Sequence, residues 1–264
     1  MDKTRQPDVI EAGDGPPVVL IHSSVAGARQ WRHLMGHLAA SHRTIAPNLY
    51  GYGTTPPWPG QHPQRLEDQA ALIAGLLPED RSPVSIVGHS FGGSVAMKLA
   101  AMNPGRVARL VLIEPNPFTL LREANRSAAF DDAMRLCETI RGAGVTGDWA
   151  GAAETFADYW TGPGSWAAMS EDRRAKFATA LRPNLHEWDA ILGERTTAAE
   201  WVAALPTATT VITANDTVRT IAEIAELLAA AAPDWRFETL PEGGHMAALT
   251  KPDSIAPLIE RALR

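Results

Sequence analysis

Short, nearly unbroken apolar runs alternate with helix-like patterns in the first part of this chain, and that alternation constrains the fold more than any other feature. Val18-Val19-Leu20-Ile21, Val84-Ser85-Ile86-Val87 and Arg109-Leu110-Val111-Leu112-Ile113 predict strands covered on both faces. Thr44-Ile45-Ala46 is a shorter strand, ended by Pro47. Helical patterns fill 30–40, 64–77 and 91–102, and a loop rich in glycine and proline spans 48–63. Strand and helix in turn predict right-handed βαβ units, hence an α/β fold with a mostly parallel central sheet flanked by helices. The alternation stops at Pro115 and resumes with a strand over 209–213, a helix over 220–232, a strand over 235–240 and a closing helix over 252–264. Between lies an all-helical insertion of about ninety residues, far too long for a simple connection. Its expected place is over the carboxyl ends of the strands, as a cap (116–205) on a core made of 1–115 and 206–264.

Composition narrows the function. The chain has 264 residues, 45% of them hydrophobic and 20% charged, which suits a folded domain that needs no disulfide. A net charge of −6 leaves no basic surplus for nucleic acid or an anionic membrane. The single cysteine, Cys137, rules out an internal disulfide and a cysteine-based zinc site, and its helical setting reads as packing. Residues 1–14 are polar without a secretory apolar core, and no apolar run is long enough to span a bilayer. The expectation is a cytoplasmic protein.

The chemistry concentrates at Gly88-His89-Ser90-Phe91-Gly92, followed by Gly93. An apolar strand enters this Gly-x-Ser-x-Gly pattern and a helix leaves it, which is the context a strained strand-to-helix turn requires. Flanking glycines admit neighbouring backbone without Cβ clashes, and the helix starting at Phe91 points its N-terminus at the reacting centre.

The chain here resembles the α/β-hydrolase family over nearly its whole length. The resemblance rests on Gly88 to Gly93, on Val19-Leu20-Ile21-His22 followed by Trp31, on Gly51-Tyr52-Gly53, on Pro104-Gly105-Arg106-Val107 and on Gly243-Gly244-His245-Met246. It implies the α/β-hydrolase fold, with the cap inserted after the strand that the family numbers six. It also implies Ser90 as nucleophile, an oxyanion loop at His22-Ser23-Ser24 and a histidine loop after the last strand.

A serine hydroxyl needs a base titrating near neutrality, and His245, in a glycine-rich turn, is the candidate. His33, His37, His42, His62 and His186 stand in ordinary settings, and His89 is read as a packing or orienting residue. Two residues compete as the acid that orients His245. Glu114 directly follows the strand beside that of Ser90, where a subset of relatives such as some haloalkane dehalogenases carry theirs. Asp216 follows the next strand, where the commonest relatives keep an aspartate, although alignment from His245 places that position on Thr217. The alignment leans to Glu114.

For the oxyanion, the Phe91 amide is one donor by position. The other comes from the loop after Ile21, where relatives read His-Gly; Ser24 is the first choice and Ser23 the second. Ser23, Trp160, Trp166 and Met246 are the expected pocket residues, the segment 159–166 forming an aromatic turn in the cap. The reading is a carboxylesterase-like serine hydrolase for a small apolar or aromatic ester, with no metal and no cofactor implied. A serine at position 90 argues against dehalogenase and epoxide hydrolase chemistry, which use an aspartate. Lactonase, C–C hydrolase, perhydrolase and hydroxynitrile lyase chemistry remain open, as does a non-catalytic binding protein. Oligomeric state is not addressed by the sequence.

Overall fold

The computed structural model describes residues 6–264; the reading of 1–14 as lacking a signal lies outside the described residues over its first five positions. Among the described residues, seven strands form one sheet: β1 (Val9–Ala12), β2 (Pro17–Ile21), β3 (Arg43–Pro47), β4 (Val84–His89), β5 (Val107–Ile113), β6 (Thr209–Ala214) and β7 (Arg236–Leu240). Their order is β1-β3-β2-β4-β5-β6-β7, parallel throughout apart from β1, which pairs antiparallel with β3. The chain steps outward from β2 to β3, then returns across β2 to β4 and proceeds the other way. The strand order therefore reverses between β2 and β4, where open α/β sheets hold their ligands.

The apolar runs are buried on both faces because successive side chains point to opposite sides. Val18, Leu20, Val87 and Val111 face one layer, built from the 3-10 turn Ala28–Trp31, α1 (Arg32–Leu38), α11 (Ala247–Thr250) and α12 (Pro252–Ala262). Val19, Ile21, Ile86 and Leu110 face the other, built from α2 (Leu66–Ala74), α3 (Phe91–Met102) and α10 (Arg219–Ala231).

Between β5 and β6 the described chain has no strand. It forms α4 (Thr119–Glu123), α5 (Ser127–Thr146), α6 (Trp149–Thr161), α7 (Glu171–Ala180), α8 (Asn184–Gly193) and α9 (Ala198–Ala204). The apolar side of these helices is continuous with the α2–α3 core layer, so Leu136, Cys137, Trp188 and Trp201 share one cluster with Val95 and Leu99. A buried ion pair adds to the seam, with Lys98 Nζ 2.6 Å from Glu194 and 5.0 Å above the Trp201 ring.

Several expectations shift at their edges. The helix expected over 30–40 is a 3-10 turn followed by α1, and that expected over 64–77 is the shorter α2. β1 is an additional edge strand. In this chain's own described order, the helical insertion follows the fifth strand, the one that the family count numbers six. No described helix is long and apolar enough to cross a membrane.

Candidate active site

Ser90 stands where β4 turns into α3, with φ 54° and ψ −121°. A side chain in that left-handed region costs of order 1–3 kcal/mol, so surrounding structure must hold it. The Ser90 amide donates to Ile113 O at 2.9 Å, and its carbonyl accepts from the Gly93 amide at 2.8 Å. The glycines are required for space. A Cβ on Gly88 would lie 2.3 Å from Gly92 O, and one on Gly92 would lie 2.3 Å from Ile21 O.

The structure brings Ser90, His245 and Glu114 into one buried chain. Ser90 Oγ is 2.8 Å from His245 Nε2, and His245 Nδ1 is 3.1 Å from Glu114 Oε2. Glu114 also accepts from the Ala214 amide at 2.7 Å on Oε1 and from the Thr217 hydroxyl on Oε2. A carboxylate accepting this many bonds assigns the proton to Nδ1 of His245, which leaves the Nε2 lone pair facing the serine hydroxyl. Hydroxyl, imidazole and carboxylate in this series can pass a proton from oxygen to ring and stabilise the resulting charge.

Asp216 makes no described hydrogen bond or ion pair with His245. Its oxygens accept from the amides of Gly243 at 3.0 Å and Gly244 at 2.8 Å, and these bonds hold its carboxyl below the usual aspartate value. Gly243 and Gly244 have φ of 123° and 57°, so Asp216 clamps the left-handed turn that presents His245. Thr217, onto which the family alignment projects an aspartate, instead donates to Glu114.

A second layer ties the loops together. His89 Nε2 lies 2.8 Å from the His245 carbonyl, and its Nδ1 lies 3.0 Å from Gln30 Nε2. Gln30 Oε1 accepts from both the amide and the hydroxyl of Ser23. Burial pulls the His89 pKa down to about 3, helped by neighbouring His245, so the ring is a neutral donor–acceptor relay between the two loops. His22 is likewise buried, at about 4, between Ser23 O and the Leu49 amide.

In the loop after β2, the Ser23 amide is taken by Gln30 and the Val25 amide by Tyr52 Oη. Among the described hydrogen bonds, none uses the Ser24 amide or the Phe91 amide. The Ser24 hydroxyl donates to Glu187 Oε2, while Tyr52 Oη donates to Glu187 Oε1 at 2.7 Å and Asn184 Nδ2 donates to Oε2 at 2.7 Å. Burial raises the Glu187 carboxyl above its ordinary value, partly offset by these three donors. The sequence reading did not single out Glu187 or Gln30. A signal existed for the former, since Asn184, Glu187, Trp188 and Ile191 share one buried face of α8.

Ser90, His245 and Ser24 open on a cavity of about 330 Å³ walled by Phe118, Phe156, Trp160, Phe177, Trp188 and Met246. Trp160 lies against the His245 ring, with centroids 4.1 Å apart. Ser23 and Trp166, expected along the pocket, do not line it. Ser23 turns toward Gln30, and Trp166 packs on Phe177 beneath Arg174.

The chain has relatives among known proteins. A methyl ester esterase for pimeloyl-[acyl-carrier protein] from Aromatoleum aromaticum is 31% identical over 94% of this chain and 98% of its own length. A 2-hydroxy-6-oxo-2,4-heptadienoate hydrolase from Pseudomonas putida is 39% identical over 39% of this chain and 38% of its own. The crystal structure of a hydrolase from Pseudomonas aeruginosa superposes with a TM-score of 0.78 at 21% identity, covering 97% of this chain and 93% of that one. The family model described as "Alpha/beta hydrolase family" matches residues 18–258. This chain belongs to the alpha/beta hydrolase family.

Proposed function

We propose that this protein is a serine hydrolase that cleaves small apolar or aromatic carboxylic esters through an acyl-enzyme. The observation that carries the reading is the unbroken hydrogen-bonded series Ser90–His245–Glu114 opening on an aromatic cavity. His245 Nε2 takes the Ser90 proton as Oγ attacks the ester carbonyl carbon. The tetrahedral oxyanion rests on the amides of Phe91 and Ser24. As the intermediate collapses, the C–O bond to the alcohol breaks and His245 returns the proton to the leaving oxygen. Water repeats the sequence on the acyl-Ser90 ester, releasing the acid and restoring the hydroxyl.

In this reading Glu114 fixes the imidazole tautomer and Trp160 shields the base from bulk water. The helical segment 116–205 acts as a cap, with Glu187 fastening it to the loop that carries Ser24. The full-length similarity to a protein named as a methyl ester esterase supports ester chemistry.

A fluorophosphonate probe tests the proposal. The expected result is stoichiometric labelling of Ser90, absent in Ser90→Ala and accompanied by hydrolysis of p-nitrophenyl acetate. A well-folded protein that neither labels nor hydrolyses the ester would be a binding member of the fold instead.

A further inference from the structure

Away from the cavity, three metal-ligating side chains meet where α1 and α12 touch. His33 and His37 lie four residues apart on α1, so helical periodicity puts both imidazoles on one face. Asp253 joins them from the first turn of α12. His33 Nε2 is 2.6 Å from Asp253 Oδ1, His37 Nε2 is 3.2 Å from His33 Nε2, and His37 Nε2 is 3.7 Å from Asp253 Oδ1.

Hydrogen bonds among the three side chains cannot satisfy every contact of this triangle at once. Both short contacts converge on one atom, His33 Nε2, from directions close to a right angle. A neutral imidazole offers either one hydrogen or one lone pair there. A hydrogen aimed at Asp253 leaves His37 badly aligned. A lone pair that accepts from His37 sets nitrogen against the Asp253 oxygen, acceptor against acceptor. With both rings protonated, two N–H groups face each other. A single cation held by all three lone pairs removes the conflict.

We propose that His33, His37 and Asp253 form a surface Zn²⁺ site, with water as the fourth ligand. Tetrahedral zinc with bonds of about 2.0–2.1 Å has ligand–ligand edges of ~3.3 Å. The three observed edges, 2.6, 3.2 and 3.7 Å, straddle that length. Two imidazoles and one carboxylate are a borderline donor set of the kind zinc takes, and no thiolate is needed. All three side chains are exposed, so the ion enters from solvent and the open position is wet. Bound zinc staples the C-terminal helix to α1, the helix that follows the loop bearing Ser24. The site stands independently of the ester chemistry.

Calorimetric titration of the EDTA-stripped full chain with zinc sulfate tests it. One equivalent is expected to bind, with affinity at least tenfold weaker in His37→Ala and in Asp253→Ala but unchanged in Ser90→Ala. At a hundredfold excess over Kd, zinc is expected to raise the wild-type Tm by about 5–10 °C and to leave both ligand variants unmoved. Both substitutions are on exposed positions, and melting in EDTA verifies that each variant folds. Failure of the wild type to bind one equivalent, or retention of full affinity in either ligand variant, overturns the site.

Discussion

Glu114 and Asp216 both follow strands at the same end of the sheet, and their oxygens do different work. Glu114 holds the His245 ring together with the Ala214 amide and Thr217 hydroxyl, whereas Asp216 holds two glycine amides. Glu114→Gln presents an amide where Nδ1–H needs an acceptor or forces the other tautomer. On the proposed chemistry, kcat/KM for p-nitrophenyl acetate should then fall by ~10³–10⁴. Asp216→Asn keeps an oxygen for the glycine amides and should cost less than about tenfold in rate. Equal losses in the two variants would sink the assignment of the acid. The turn around Ser90 was legible in the sequence because its parts are five consecutive residues between a strand and a helix. The choice between Glu114 and Asp216 was not, because it depends on side-chain direction at two strand ends. The Ser24–Glu187 contact joins residues 163 positions apart, and Gln30–His89 joins residues 59 apart. No local pattern reports such pairings. What local pattern does report is an anomaly, a glutamate on the apolar face of α8, and that would have been reason to look for its partners.

At the scale of elements, the central strands were legible because burial on both faces leaves an unbroken apolar run. β1 was not, since Val9–Ala12 is a four-residue edge strand, mostly half-buried, whose antiparallel partner is β3. The fit of α3 under the loop after β2 was only half visible: the glycines showed in the sequence, but their neighbours did not. Gly92 is needed for close approach of backbones rather than for an unusual φ, and its missing Cβ would meet Ile21 O at 2.3 Å and His22 O at 2.4 Å. Neither carbonyl can yield without moving β2. Gly92→Ala should therefore destabilise the fold by about 3 kcal/mol or more. Gly142, exposed within the long helix α5, has nothing within 4 Å of its missing Cβ and no positive φ. Gly142→Ala should stabilise by about 0.5–1 kcal/mol, because alanine loses less backbone freedom in a helix. Thermal melts of the two variants separate the effects. A Gly92→Ala protein as stable as wild type would mean that α3 and β2 do not approach so closely.

Across the whole molecule, three buried groups give stability an opposed pH dependence. His22 and His89 have native pKa values pulled by burial to about 4 and about 3, from 6.5. The unfolded chain therefore binds more protons than the native one below pH 6.5, and stability falls on acidification from there down through the native values. By pH 5 each ring accounts for a loss of about 2 kcal/mol, a large share of a typical stability of roughly 5–15 kcal/mol. Glu187 works in the other sense. Its native pKa is raised above 4.5 by burial, so the native state binds more protons than the unfolded state as pH rises past 4.5. Stability from this group is full below that value and is lost as pH climbs through the raised one. His89→Gln keeps a donor for the His245 carbonyl and an acceptor for Gln30 but cannot titrate. Urea unfolding at pH 7.5, 6.5, 5.5 and 5.0 should show a shallower acid decline for this variant than for wild type. Glu187→Gln should change the comparison oppositely, with wild type losing ground to the variant as pH rises from 4.5. Parallel curves for wild type and His89→Gln would mean that the native ring takes up its proton as readily as the unfolded one, so that below pH 6.5 a charged His89 could not relay between Gln30 and the His245 carbonyl as a neutral donor and acceptor.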